Sequence, residues 1–182
     1  PRLENPFSVA YLKENLQPNK PRLIYDEARL ARLKEAIKTD PVIGKLYKDI
    51  RSGAAKVLEQ PVIRRDKTSH SMLKISRDFL GRMNALGLVY LVERDARMLE
   101  RINRELLAIA KFKDWNPPVY LETAEISMGV ALALVWMLDD LPAATINMAK
   151  QALIEKGIHP SWEEFGDNMD YAWFTDHYNN WN

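Results

Sequence analysis

The sequence predicts an all-α fold arranged as a two-layer helical array. Three observations carry that expectation. Apolar residues recur every three to four positions over most of the chain. Aspartates and prolines stand where helices would begin. One long stretch, Ile126 to Leu138, has no charged residue and is apolar on every side. A helix of that kind is buried or lies in a membrane. This stretch is shorter than the ~20 residues a bilayer crossing needs. Glu125 and Asp139 bound it, so it reads as an inner helix and not as a membrane span. Amphipathic helices around a wholly buried one fit a two-layer ring, or α/α toroid, better than a four-helix bundle with one apolar face per helix. A helical solenoid fits as well, although no fixed-length repeat is visible.

The elements follow in order. Residues up to about Lys20 read as an irregular leader, broken by Pro18, Asn19 and Pro21. Asp26 caps a first helix with Leu30, Leu33 and Ile37 on one face. Thr39-Asp40-Pro41 ends it and starts a second, whose apolar face should be Val42, Leu46, Ile50, Ala54 and Leu58. Pro61 to Ser69 is a basic loop. A third helix runs from about Ser69–Ser71 to Val92, with Leu73, Phe79, Leu80, Met83, Leu86 and Tyr90 inward. Asp95 starts a fourth, with Leu99, Ile102, Leu106 and Ile109 inward and Arg97, Glu100, Arg101, Arg104 and Glu105 on an exposed charged face. After the loop Asp114 to Pro118 come the inner helix, Tyr120 to Leu138, and a sixth helix from about Pro142 to Lys156, with Gly157 as its expected C-cap.

A length of 182 residues suits one domain with a real core. A net charge of +1 argues against a nucleic-acid partner, which would demand a strong basic bias. The chain has no cysteine, which excludes disulfides and thiolate chemistry. It begins at Pro1, as if a signal peptide had been removed or the chain had been trimmed. An end rich in Trp173, Phe174, Tyr178 and Trp181 reads as the interior of a larger protein, because free termini are usually polar and loose.

No histidine pair among His70, His159 and His177 has metal-site spacing, so no metal or cofactor is expected. His70 and His159 read as solvated; His177 is the better candidate, though a packing role weighs more. No Gly-rich phosphate loop or Gly-x-Ser-x-Gly elbow is present. Two stretches remain. Asp114-Trp115-Asn116-Pro117-Pro118 leads into Tyr120 and Glu122 to Glu125 at the start of the inner helix. Glu122 and Glu125 are three apart and share a helix face. Glu122 suits the helix dipole as well as it suits function. Glu125, placed deeper, needs a partner, for which Arg77 and Arg82 are candidates. The second stretch, Tyr171 to Asn182, combines aromatic rings with amides. It suits a sugar-binding surface and, equally, a core segment with Asn caps.

These stretches resemble the bacterial heparinase II/III-like polysaccharide lyases, which include oligoalginate lyases. The similarity rests on Lys20-Pro21-Arg22-Leu23-Ile24-Tyr25 leading into Glu27-Ala28-Arg29-Leu30, on Phe112-Lys113-Asp114-Trp115-Asn116 followed by Leu121-Glu122-Thr123-Ala124-Glu125, and on Asn179-Asn180-Trp181-Asn182. The three occur in order over residues 20 to 182. The resemblance implies that residues 21–182 are the N-terminal part of an incomplete α/α toroid followed elsewhere by a β-sandwich. It implies a secreted or periplasmic enzyme that cleaves uronic-acid-containing acidic polysaccharide by β-elimination. Asn180, with Asn179 as the neighbouring alternative, would bind the uronate carboxylate, and amide donors there would make the adjacent proton more acidic. Trp181, Asn182, His177, Tyr120, Trp115 and Glu125 would line the substrate site. Trp181 stands where oligoalginate lyases carry His, which removes one base. The catalytic Tyr and further His of the family fall downstream of the motif, so this chain alone is expected to be inactive. Other readings are a non-catalytic glycan-binding or scaffold domain, a helical protein-interaction module, and a toroid glycoside hydrolase using Glu122, Glu125, Asp170 or Asp176.

Overall fold

The computed structural model describes residues 8–16, 23–65, 71–118 and 120–160. Within them every regular element is helical: α1 (Val9–Asn15), α2 (Glu27–Thr39), α3 (Pro41–Glu59), α4 (Leu73–Glu93), α5 (Ala96–Ala110), α6 (Tyr120–Met137) and α7 (Ala143–Ala152). The chain is all-α over these residues, as expected. The leader is not wholly irregular, since it contains α1.

Capping explains most boundaries. The Asp26 carboxylate accepts from the Arg29 amide at 2.7 Å. Asp40 closes α2 through its own amide, bonded to Ala36 O, and opens α3 by accepting from the amides of Val42 and Ile43. One residue thus serves two helix ends and forces a tight corner. Asp95 caps α5 in the same way. α4 ends at Arg94, whose φ of 57° is the left-handed conformation that stops a helix. Its guanidinium lies 4.4 Å over the Tyr90 ring and pairs with Asp140.

From α2 onward neighbours in sequence touch, and helices two apart also pack: α2 on α4, α3 on α5, α4 on α6 and α5 on α7. The broadest contact is α4 on α6. By length and composition α6 could cross a membrane. Here it packs against α4, α5 and α7. Its glycine permits the close approach to α4. A Cβ on Gly129 would stand 2.7 Å from Phe79 Cε1, and one on Gly87 of α4 would stand 2.7 Å from Trp136 Cε3.

Three expectations fail, each for a packing reason. Arg101 and Glu105 are not on an exposed face: they are 3% and 0% exposed. Glu105 Oε1 accepts from Arg101 Nε at 2.8 Å and from Arg82 at 2.7 Å, while Oε2 accepts from the Ile63 amide at 2.9 Å. The loop after α3 lies over this cluster, and both arginines donate to its Pro61 carbonyl. The apolar face of α3 also differs. Ala54 and Leu58 of the expected face do turn to the core, but Val42, Leu46 and Ile50 are exposed, and Tyr47 is buried in their place. Tyr47 donates to Glu93, which also pairs with Arg51. Burial, helped by that bond, pushes the Tyr47 phenol above its ordinary range. Gly157 does not cap α7. The helix widens into a π-helical turn, Leu153–Ile158. The turn seats Gly157 against Trp115 and Ser127, where a Cβ has no room.

The α4–α6 seam makes a paired prediction. Gly129→Ala overpacks the fully buried Phe79 ring and should lower unfolding free energy by about 1–3 kcal/mol. Gly81→Ala, whose methyl would meet nothing within 4 Å, should raise it by about 0.5–1 kcal/mol through helix propensity. Denaturant midpoints of the two variants check the opposite signs.

Candidate functional site

The described part of the candidate site lies where the loop 111–118 turns into α6. Asn116 adopts φ 60°, a left-handed value that Asn tolerates better than most residues. Its amide donates to Asp114 Oδ1 at 3.0 Å, closing a local turn. Arg65 pairs with the Asp114 carboxylate at 2.8 Å and also bonds its carbonyl. From the other side Lys156 donates to the carbonyls of Ala110 and Phe112 at 2.5 and 2.6 Å, tying down the end of α5. Burial pushes the Lys156 ammonium below its ordinary value, against the pull of Glu155 and Asp114.

Glu122 is the centre of this unit. It is 1% exposed. Its Oε1 accepts from the Met72 amide at 2.7 Å and from Ser71 Oγ at 2.9 Å, and Oε2 accepts from Asn116 Nδ2. Because Met72 precedes α4, a side chain in the first turn of α6 satisfies an amide at the start of α4. The dipole reading of Glu122 is therefore too narrow: the residue joins two helix starts and the loop between α5 and α6. Glu125, expected to lie deeper, is the more accessible of the two, with 17% of its side chain exposed. It accepts from Ser76 Oγ at 2.5 Å and from Arg77 Nε at 3.4 Å. Arg77 is thus its arginine partner, and Arg82 belongs to Glu105.

The other anticipated site residues divide. Trp115 is fully buried and donates its indole N–H to Ile109 O at 3.1 Å, so it presents no ring face to a ligand here. Thr123 Oγ1 bonds its carbonyl. Tyr120 is half-buried at the start of α6. Asn179, Asn180, Trp181, Asn182 and His177 lie outside the described residues, as do His70, Asp170 and Asp176. His159 is exposed. Among the described residues no cluster of three or more His, Asp or Glu could hold a metal ion.

Chemically, the arrangement offers Glu125, 17% exposed beside the exposed Arg77 guanidinium, and Asp114, 35% exposed and paired with Arg65. Glu122 is sealed. Sequence reasoning missed Ser71, Ser76 and Arg65. Ser71 carries a faint signal, since its hydroxyl also accepts from the Leu73 amide at the start of α4.

Glu122→Ala should strand the buried Met72 amide and cost about 1–3 kcal/mol of stability. Glu125→Ala, at the exposed margin, should cost less. Thermal unfolding of both variants checks the order. No protein-family model matches this chain, and no curated protein matches it.

Proposed function

We propose that this chain is the helical, N-terminal portion of a secreted or periplasmic polysaccharide lyase that cleaves uronic-acid glycans by β-elimination. The packing of helices two apart supports reading the array as the start of an incomplete α/α toroid. Asn180, or Asn179 beside it, binds the uronate carboxylate and spreads its charge, which lowers the cost of removing the neighbouring proton. A Tyr or His of the longer protein takes that proton and another donates to the leaving oxygen.

One observation carries the reading. The middle lyase-like segment, Asp114 to Glu125, folds as a single hydrogen-bonded unit around Glu122 at the joint mouth of α4 and α6. A unit fixed in that way can hold an adjoining substrate surface still. Glu125 and Arg77 form its accessible edge, and the guanidinium suits an acidic sugar.

A second reading, a non-catalytic glycan-binding or scaffold domain, is favoured by one fact: Trp115 and Glu122 are consumed by packing. The two readings part in one assay. A protein extended beyond Asn182 should release unsaturated uronate, read as ultraviolet absorbance, from heparan- or alginate-like polysaccharide. Asn180→Ala should slow release by about 10²–10³-fold, the loss expected for one preorganised donor. Binding of oligosaccharide without release supports the scaffold instead, and full activity in the Asn180 variant removes the role given to that residue.

A further inference from the structure

A surface groove of about 330 Å³ lies between α2, the end of α4 and the end of α6, away from Glu122. Its apolar lining is Leu30, Leu91, Val135, Trp136 and Leu138. Five charged residues also line it: Glu27 and Lys34 from α2, Arg94 after α4, and Asp139 and Asp140 after α6. Two of them neutralise each other, since Arg94 Nη2 donates to Asp140 Oδ1 at 2.8 Å. Asp139 is engaged by an interaction of its own. Glu27 and Lys34 remain. Among the described residues neither side chain has a hydrogen-bond or ion-pair partner. Lys34 is half-buried, and a charge drawn out of water favours a counter-charge.

The spacing of these two charges selects a ligand. Glu27 and Lys34 stand two turns apart on one side of α2, about 10 Å along its axis, with Leu30 between them. The groove thus offers one negative and one positive group across an apolar middle. An extended chain of five methylenes holds its two end groups about 8 Å apart, within reach of both. Arg94 adds a cation that is fixed in place. Its φ of 57° is a left-handed value at which glycine is the ordinary residue. A non-glycine residue keeps such strain where its surroundings hold it. Here the Tyr90 ring, 4.4 Å beneath the guanidinium, and Asp140 do so.

We propose that this groove binds a small zwitterion, an ammonium and a carboxylate joined by a short alkyl chain. The ammonium lies on Glu27, the carboxylate lies on Lys34, and the chain packs on Leu30, Leu91 and Val135. The site stands apart from the unit around Glu122 and is independent of any activity there.

The test titrates the full chain with ε-aminohexanoate and follows its backbone amides by NMR, with hexanoate and hexylamine as single-charge controls. The zwitterion should shift the amides of Leu30, Lys34 and Leu91 to saturation and bind about five-fold more tightly than either control. Glu27→Gln and Lys34→Gln should each weaken binding about five-fold. Lys45→Gln, exposed on α3 and outside the groove, should leave binding unchanged. Hexanoate or hexylamine binding as tightly as the zwitterion overturns the proposal, because one charge would then suffice. So does the absence of shifts at these three amides, and so does an unchanged Kd in both groove variants. The spectra of the variants report their folding directly, and the comparison of the three ligands needs no variant.

Discussion

The Glu105 carboxylate is the interaction on which the rest of the described structure depends. After α3 the chain leaves helical geometry at Gln60, and residues 61–63 lie against the flank of α5. Backbone groups there lose water and need partners. Arg101 donates to the carbonyls of Val57, Leu58 and Pro61, Arg82 donates to Pro61 and Gln60, and Glu105 takes the Ile63 amide. The two cations are held in turn by the one carboxylate between them. Such a cluster adds little net stability over an apolar substitute, yet removing one member leaves buried charge uncompensated, at a typical cost of about 3–5 kcal/mol. Its contribution is placement. It fixes where α3 ends and where the stretch after it lies against α5, and Arg82 ties the same stretch to α4.

Placement propagates to the candidate site. α4 held against α5 presents the residues just before it, Ser71 and Met72, to the first turn of α6, where Glu122 binds both. The Gly129 and Gly87 contacts then bring α4 and α6 close along their length. At the far end of α6, Trp136 bonds Leu23 O and stacks obliquely on Tyr25, with ring centroids 5.6 Å apart. The segment ending at Tyr25 and the loop around Asn116 therefore meet opposite ends of the same inner helix.

Much of this was legible in the sequence, and the failures have a common cause. The Asp26, Asp40 and Asp95 caps rest on local spacing and were read correctly, whereas α6, expected to be buried on every side, is buried only in part, with Met128 43% exposed. Arg101 and Glu105 were misread because an i,i+4 ion pair looks the same on a solvated face as beneath a loop. Only the partner 42 residues away, Ile63, distinguishes the two. The face of α3 was misassigned because its two apolar stripes are nearly equal, and tertiary packing chose Tyr47 over Leu46. At the candidate site, the sequence singled out Trp115, Glu122 and Glu125 and placed Glu125 deeper than Glu122, the reverse of what the structure shows. Glu122 became the buried staple and Glu125 the accessible edge because of Ser71, Ser76 and Arg77, residues about fifty positions away.

The central claim is that the non-helical stretch after α3 is held as firmly as the helices beneath it, through Glu105. Native-state hydrogen exchange at the Ile63 amide tests this most directly. The account predicts exchange as slow as that of the Leu106 amide in the middle of α5, although Ile63 lies in no helix or strand. Exchange at Ile63 as fast as at the exposed neighbour Arg64 would contradict it.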